Sequence, residues 1–130
     1  MKLAILVAAL VSFGFAGFSR AADEAPKAKG PVYHVVSLKF KEGTSPEDIK
    51  MVEEAFRDLK TKIPGILTLH WGTNVSPEKK NMGFTHCFVL TFATEKDRDA
   101  YLVDPAHKAF GKLAGPHFAG VFVIDFIAQD

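Results

Sequence analysis

From Val32 to Phe40 the side chains alternate with period two. Val32, His34, Val36, Leu38 and Phe40 share one face, and Tyr33, Val35, Ser37 and Lys39 share the other, which predicts a strand. Glu42-Gly43 ends it. The period then changes. Ile49, Val52, Phe56, Leu59 and Ile63 recur at three- and four-residue steps, the stripe of an amphipathic helix. Ser45 suits the N-cap and Pro46 the first helical position, and Glu47 and Asp48 sit where the helix dipole favours acids. Pro64-Gly65 stops the helix.

Ile66 to Trp71 reads as a second strand, Gly72 to Gly83 as a polar loop, and Phe84 to Phe92 as a third strand. Thr94-Glu95-Lys96-Asp97 is a second capping signal, opening a short helix through Tyr101. Asp104-Pro105 interrupts it, because a residue before proline is pushed out of the helical region. Ala106, Ala109, Phe110 and Leu113 continue as another short helix, Gly115-Pro116 ends that, and Val121 to Ile127 forms a fourth strand.

The order β-α-β-β-α-β, with the second helix broken, is the α+β ferredoxin-like arrangement: an antiparallel sheet with helices on one face. Strands one, three and four carry apolar residues on both alternations, for example Tyr33 and Val35 against Val36 and Leu38, and Phe122 and Ile124 against Val121 and Val123. Helices cover only one face, so the other is an apolar patch that marks an interface. A second copy is the simplest cover, making the expected partner the chain itself, in a homodimer whose two sheets enclose a barrel-like core.

The 130 residues fit one domain preceded by a processing segment. Lys2, the apolar run from Leu3 to Phe18, and Ser19-Arg20-Ala21 make residues 1–21 a secretory signal peptide, with a run shorter than the roughly 20 residues of a spanning helix. Residues 22–31 read as a flexible leader and residues 32–130 as the domain. Cleavage removes Lys2 and Arg20 and takes the formal charge from +1 to −1. Neither nucleic acid nor an anionic membrane surface is implied as a partner, and no membrane anchor is expected after cleavage. Export to the periplasm or outside the cell is the expectation. Cys87 is the sole cysteine, so no intrachain disulfide forms, and its apolar strand setting suggests a buried, inert thiol.

Candidate chemistry centres on Tyr101-Leu102-Val103-Asp104-Pro105-Ala106-His107, a phenol and an imidazole flanking the helix break. His107 reads either as a general base or as a helix-start histidine bonded to backbone near Pro105. Tyr101 reads either as a hydrogen-bond donor to a developing enolate oxygen or as a packed aromatic. His34 and His86 share strand faces with large apolar residues and are candidate ligand-binding groups, or hydrogen-bonded core histidines. His70 and His117 read as structural or exposed. Asp104 is expected to cap the helix after Pro105, and Asp125 to face solvent or a partner strand. The histidines lack the local spacing of a zinc site, so no metal is implied, and no cofactor motif is present.

The runs Val32–Lys41, Ile63-Pro64-Gly65, Trp71-Gly72, Gly83-Phe84-Thr85-His86 and Tyr101 through His107 together resemble the stress-responsive dimeric α/β-barrel (Dabb) family, over about residues 32 to 127. The resemblance implies ferredoxin-like homodimers whose paired sheets form a barrel. Similarity to plant polyketide cyclases of the olivetolic acid cyclase type implies catalytic roles for Tyr101 and His107 and ligand contact for His34 and His86. The expected ligand is a small apolar carbonyl compound held between helices and sheet, turned over by aldol-type lyase or cyclase chemistry. The alternative is a non-catalytic, stress-related structural dimer. A third class, ferredoxin-like monooxygenases acting on quinones or haem, finds no diagnostic residues here.

Overall fold

The structure, a computed structural model, describes residues 30–129. The expected signal peptide and nearly all of the leader lie outside the described residues. The elements run β1 (Val32–Phe40), α1 (Pro46–Lys62), β2 (Ile66–Thr73), β3 (His86–Phe92), α2 (Glu95–Val103), α3 (Pro105–Ala114), a 3-10 turn (Gly115–His117) and β4 (Phe118–Ile127). The sheet order is β2-β3-β1-β4, with every neighbouring pair antiparallel. This is the ferredoxin-like α+β fold anticipated from the patterning.

The caps fall where the side-chain chemistry puts them. Ser45 Oγ accepts from the Asp48 backbone N–H at 3.1 Å, Thr94 Oγ1 from Asp97 N–H at 3.1 Å, and Asp104 Oδ1 from Ala106 N–H at 2.8 Å. Each satisfies a donor that the first helical turn leaves unpaired.

The helices cover one face of the sheet. There Val32, Val36, Leu38, Phe88, Leu90 and Phe92 are buried against Val52, Phe56 and Leu59 of α1 and Tyr101 of α2. Phe56 stacks on Phe88 with ring centroids 3.8 Å apart, and Trp71 stacks on Phe88 at 5.4 Å. The opposite face carries Tyr33, Val35, Val89, Phe122, Ile124 and Phe126 in register. On β4, Phe122, Ile124 and Phe126 are 51%, 49% and 46% exposed, and Val121 and Val123, in register with Leu38 and Val36 on the helix-facing side, are no better covered, so the helices do not reach over this edge strand. No helix covers that face, as the two-sided apolar pattern required.

Three boundaries differ from expectation. β2 runs two residues further, to Thr73, because Gly72 and Thr73 still find partners in Cys87 and His86. β3 starts at His86 rather than Phe84, because the Phe84 carbonyl accepts from the Asn81 side chain at 2.9 Å and the Phe84 N–H returns to the Asn81 carbonyl at 2.8 Å, closing a turn. Met82 and Gly83 in that turn have positive φ, of 50° and 83°. β4 starts at Phe118, three residues early, since Phe118 pairs with Phe40 past a register shift at Lys39/Phe40.

Candidate functional site

The break at Asp104 sets the geometry. In one unbroken helix Tyr101 and His107 would point roughly 120° apart, since each residue turns the helix by about 100°. Instead Asp104 is extended (φ −62°, ψ 136°), α3 starts afresh, and the two rings approach to 4.5 Å between centroids. His34, from the helix-facing side of β1, meets the same phenol edge-on at 5.5 Å, and Phe92 lies 5.1 Å from it. Tyr101, His107 and His34 therefore form one cluster between the helices and the sheet.

Tyr101 is 1% exposed. Burial raises its pKa well above the ordinary phenol value, and the nearby Asp125 charge adds to the rise, so the phenol stays protonated. Every side-chain nitrogen or oxygen sealed from solvent has a partner among the described residues. Among the described residues the Tyr101 hydroxyl has no hydrogen-bond partner, and the phenol is held as a proton donor.

His107 is pushed the other way. Burial lowers its pKa first, and His34 lowers it further, while the Leu102 carbonyl and Asp104 oppose them. The neutral ring is favoured. Nδ1 lies 3.2 Å from the Leu102 carbonyl and donates to it, which leaves Nε2 as an unprotonated acceptor. A purely structural histidine at this helix start makes the same backbone bond.

His34 Nδ1 lies 2.6 Å from Asp125 Oδ1, and the other Asp125 oxygen accepts from Arg98 of α2. Asp125 thus bonds His34 of its partner strand β1, as expected, while its second oxygen turns to α2, a contact the sequence did not signal. It sits opposite His34 in the β1–β4 register, and an even register puts both side chains on one face. Arg98 had no signal in the sequence, being one of several charges on an exposed-looking helix.

His86 does not join this cluster. It shares the helix-facing side of the sheet with His34 but lies at the other end, opposite Leu38, whereas His34 is opposite Leu90. Its Nε2 is 2.8 Å from Glu53 Oε1 of α1, its Nδ1 2.8 Å from Thr85 Oγ1, and its ring is bordered by Phe40 and Trp71. The two strand histidines serve separate places. Among the described residues no three His, Cys, Asp or Glu side chains converge on a metal position.

The larger cavity, about 510 Å³, is not between helices and sheet as expected. It opens on the uncovered face, bounded by β2, β3 and the 74–85 segment, with Trp71, Met82, Phe84, Thr85, Val89 and Phe122 in its wall. A smaller one of about 290 Å³ adjoins Arg98 and Asp125. Cys87 is half-buried on the uncovered face, since it occupies the alternate set of β3 positions, and is not the fully buried thiol expected. His70 is exposed on that same face. His117 is half-buried, its carbonyl accepting from the Lys41 N–H at 2.9 Å.

A ferredoxin-like α+β domain with a Tyr-His pair at a broken second helix is the class that fold and site define. The chain belongs to the stress responsive A/B barrel domain family, whose family model matches residues 32–128. It is 37% identical over 100 residues to the stress-response A/B barrel domain-containing protein HS1 of Arabidopsis thaliana, spanning 77% of this chain and 92% of that one. It is 26% identical over 95 residues to olivetolic acid cyclase of Cannabis sativa, spanning 73% and 94%. Among solved structures, hydroxynitrile lyase from Passiflora edulis superposes with a TM-score of 0.73 at 25% identity, covering 78% of this chain and 96% of that one. A dimeric ferredoxin-like protein of unknown function from Jannaschia sp. superposes with a TM-score of 0.67 at 25% identity, covering 76% and 100%.

Proposed function

We propose that the chain acts as a homodimer closed across the open face of its sheet, and that each copy binds a small apolar carbonyl compound at Tyr101, His107 and His34. The observation that carries this is the opposed tuning of the touching pair. Tyr101 is held protonated and His107 neutral by the same burial, 4.5 Å apart. The phenol donates to the carbonyl oxygen as negative charge builds there, and His107 Nε2 takes a proton from the adjacent carbon or from a hydroxyl. His34, held by Asp125, orients the ligand from the sheet side. Lyase or cyclase chemistry of aldol type uses those two proton movements, and a named cyclase and a named lyase are among the similar proteins. The test is turnover or binding of β-polyketone analogues by the wild-type protein and by H107A. Equal behaviour of the two ends the catalytic reading.

A second reading, a non-catalytic stress-related dimer, is favoured by one observation: neither cavity described includes Tyr101 or His107 in its wall. Under it, H107A and Y101F both lower thermal stability and no carbonyl compound binds. We also propose export with removal of residues 1–21. N-terminal sequencing of protein recovered outside the cytoplasm would then begin at Ala22, and an intact Met1 there refutes cleavage.

A further inference from the structure

Arg98 takes no part in the proton movements proposed above, yet it is built into their surroundings. It stands three residues before Tyr101 on α2, a spacing that puts both side chains on one face of the helix. Its side chain is only 18% exposed, and two of its nitrogens are engaged. Nη1 donates to Asp125 Oδ2, and Nε donates to Asp99 Oδ1 at 2.8 Å. The two carboxylates are not equivalent. Asp99 is 67% exposed, so water screens its charge. Asp125 is 24% exposed, and its other oxygen meets His34 Nδ1 at 2.6 Å, on the ring that approaches Tyr101 edge-on.

Left alone, Asp125 works against the chemistry of this site. Its charge adds to the rise in the Tyr101 pKa, so its field opposes negative charge at the hydroxyl oxygen. A ligand oxygen that accepts from that hydroxyl and gains charge during reaction lies in the same field. A cation in contact with the carboxylate cancels most of that field at a distance, because the two contributions have opposite sign. Arg98 is that cation, and a guanidinium keeps its charge throughout the working pH range. Resting on the reading of Tyr101, His107 and His34 as a carbonyl site, we propose that Arg98 is a positioning residue of that site: it holds and offsets Asp125, so that negative charge builds on a ligand oxygen at the Tyr101 hydroxyl without repulsion. Arg98 itself does not touch the ligand. The ligand class so favoured is an enol or phenol that binds as its anion.

The probe pair is 4-nitrophenol, ionised in mildly alkaline buffer, and 4-nitroanisole, alike in ring and different in charge. The readout is the ratio of their affinities, which cancels any general loss of ligand orientation. Isothermal titration calorimetry of the full chain is expected to show that ratio falling about tenfold in R98M and staying near the wild-type value in R98K. D125N should raise it. R98M/D125N, with both charges gone, should return it to the wild-type value, and this pair carries the test if R98M alone does not fold, with melting temperatures reporting the fold of each variant. A ratio unchanged in R98M overturns the inference. A double variant still well below wild type overturns it too, by placing the guanidinium on the anion itself. The reading beneath it fails separately: wild type binding neither probe, or Y101F binding both as wild type does, removes the carbonyl site and the inference with it. Phenolate binding weakened by Y101F and indifferent to R98M removes only the role of Arg98.

Discussion

His34 on β1 and Asp125 on β4 face each other across the sheet, with Nδ1 and Oδ1 2.6 Å apart. The side chains are 5% and 24% exposed, and the carboxylate also holds Arg98 of α2. One carboxylate therefore ties the edge strand, the central strand and the second helix together. D125N keeps the shape and removes the charge. It should destabilise the protein by about 2 kcal/mol, the scale of a hydrogen bond to a charged group, read by urea denaturation. If His34 orients ligand as proposed, D125N also weakens ligand binding. An unchanged midpoint would show that Asp125 contributes nothing to holding the sheet.

The pKa directions give stability opposite trends at the two ends of the pH scale. His107 is depressed below 6.5, so as pH falls through 6.5 the unfolded chain takes up a proton that the folded chain refuses. Stability then drops towards acid, and H107N should lose that part of the drop. Tyr101 is raised above 10.0, so as pH rises through 10 the unfolded chain releases a proton that the folded chain keeps. Stability drops again towards alkali, and Y101F should flatten it. Melting temperatures of the three proteins between pH 5 and 11 check both trends.

Ile124 sits mid-strand on the open face and is half exposed in the single chain, so a charge there costs the isolated subunit little. Placed inside an apolar interface, the same charge is expensive to desolvate. I124K should leave a folded monomer, with association weakened at least about 100-fold, a change of roughly 2.7 kcal/mol. Sedimentation equilibrium at micromolar concentration measures it. A wild-type chain that is itself monomeric there removes the dimer altogether.

Phe56 joins α1 to the sheet through its stack on Phe88 and an edge contact with Phe110 at 4.9 Å. F56A should cost about 3–5 kcal/mol, the range for deleting a buried aromatic. Phe110 belongs to α3, so the loss should also loosen the helix that carries His107. Chemical denaturation gives the stability, and hydrogen exchange over residues 105–114 reports the loosening.

Periodicity and capping chemistry were enough, by themselves, to specify this fold. Steps of two or three-to-four residues and the caps Ser45, Thr94 and Asp104 depend on neighbours in the chain, so they are legible before folding. The apolar residues on both strand faces likewise marked an uncovered sheet. The Tyr101–His107 pair was legible because six residues and one proline break place it locally. What the tertiary structure decided was every relationship across long sequence distance. Strand register put Asp125 opposite His34 and set His86 at the far end of the sheet beside Glu53 and Thr85. Register is a property of pairing between strands some 90 residues apart, as for His34 and Asp125, and a one-residue slip reverses every face. The cavity on the open face depends on strand pairing, which brings His70, Val89 and Phe122 to one side of the sheet from far apart in the chain.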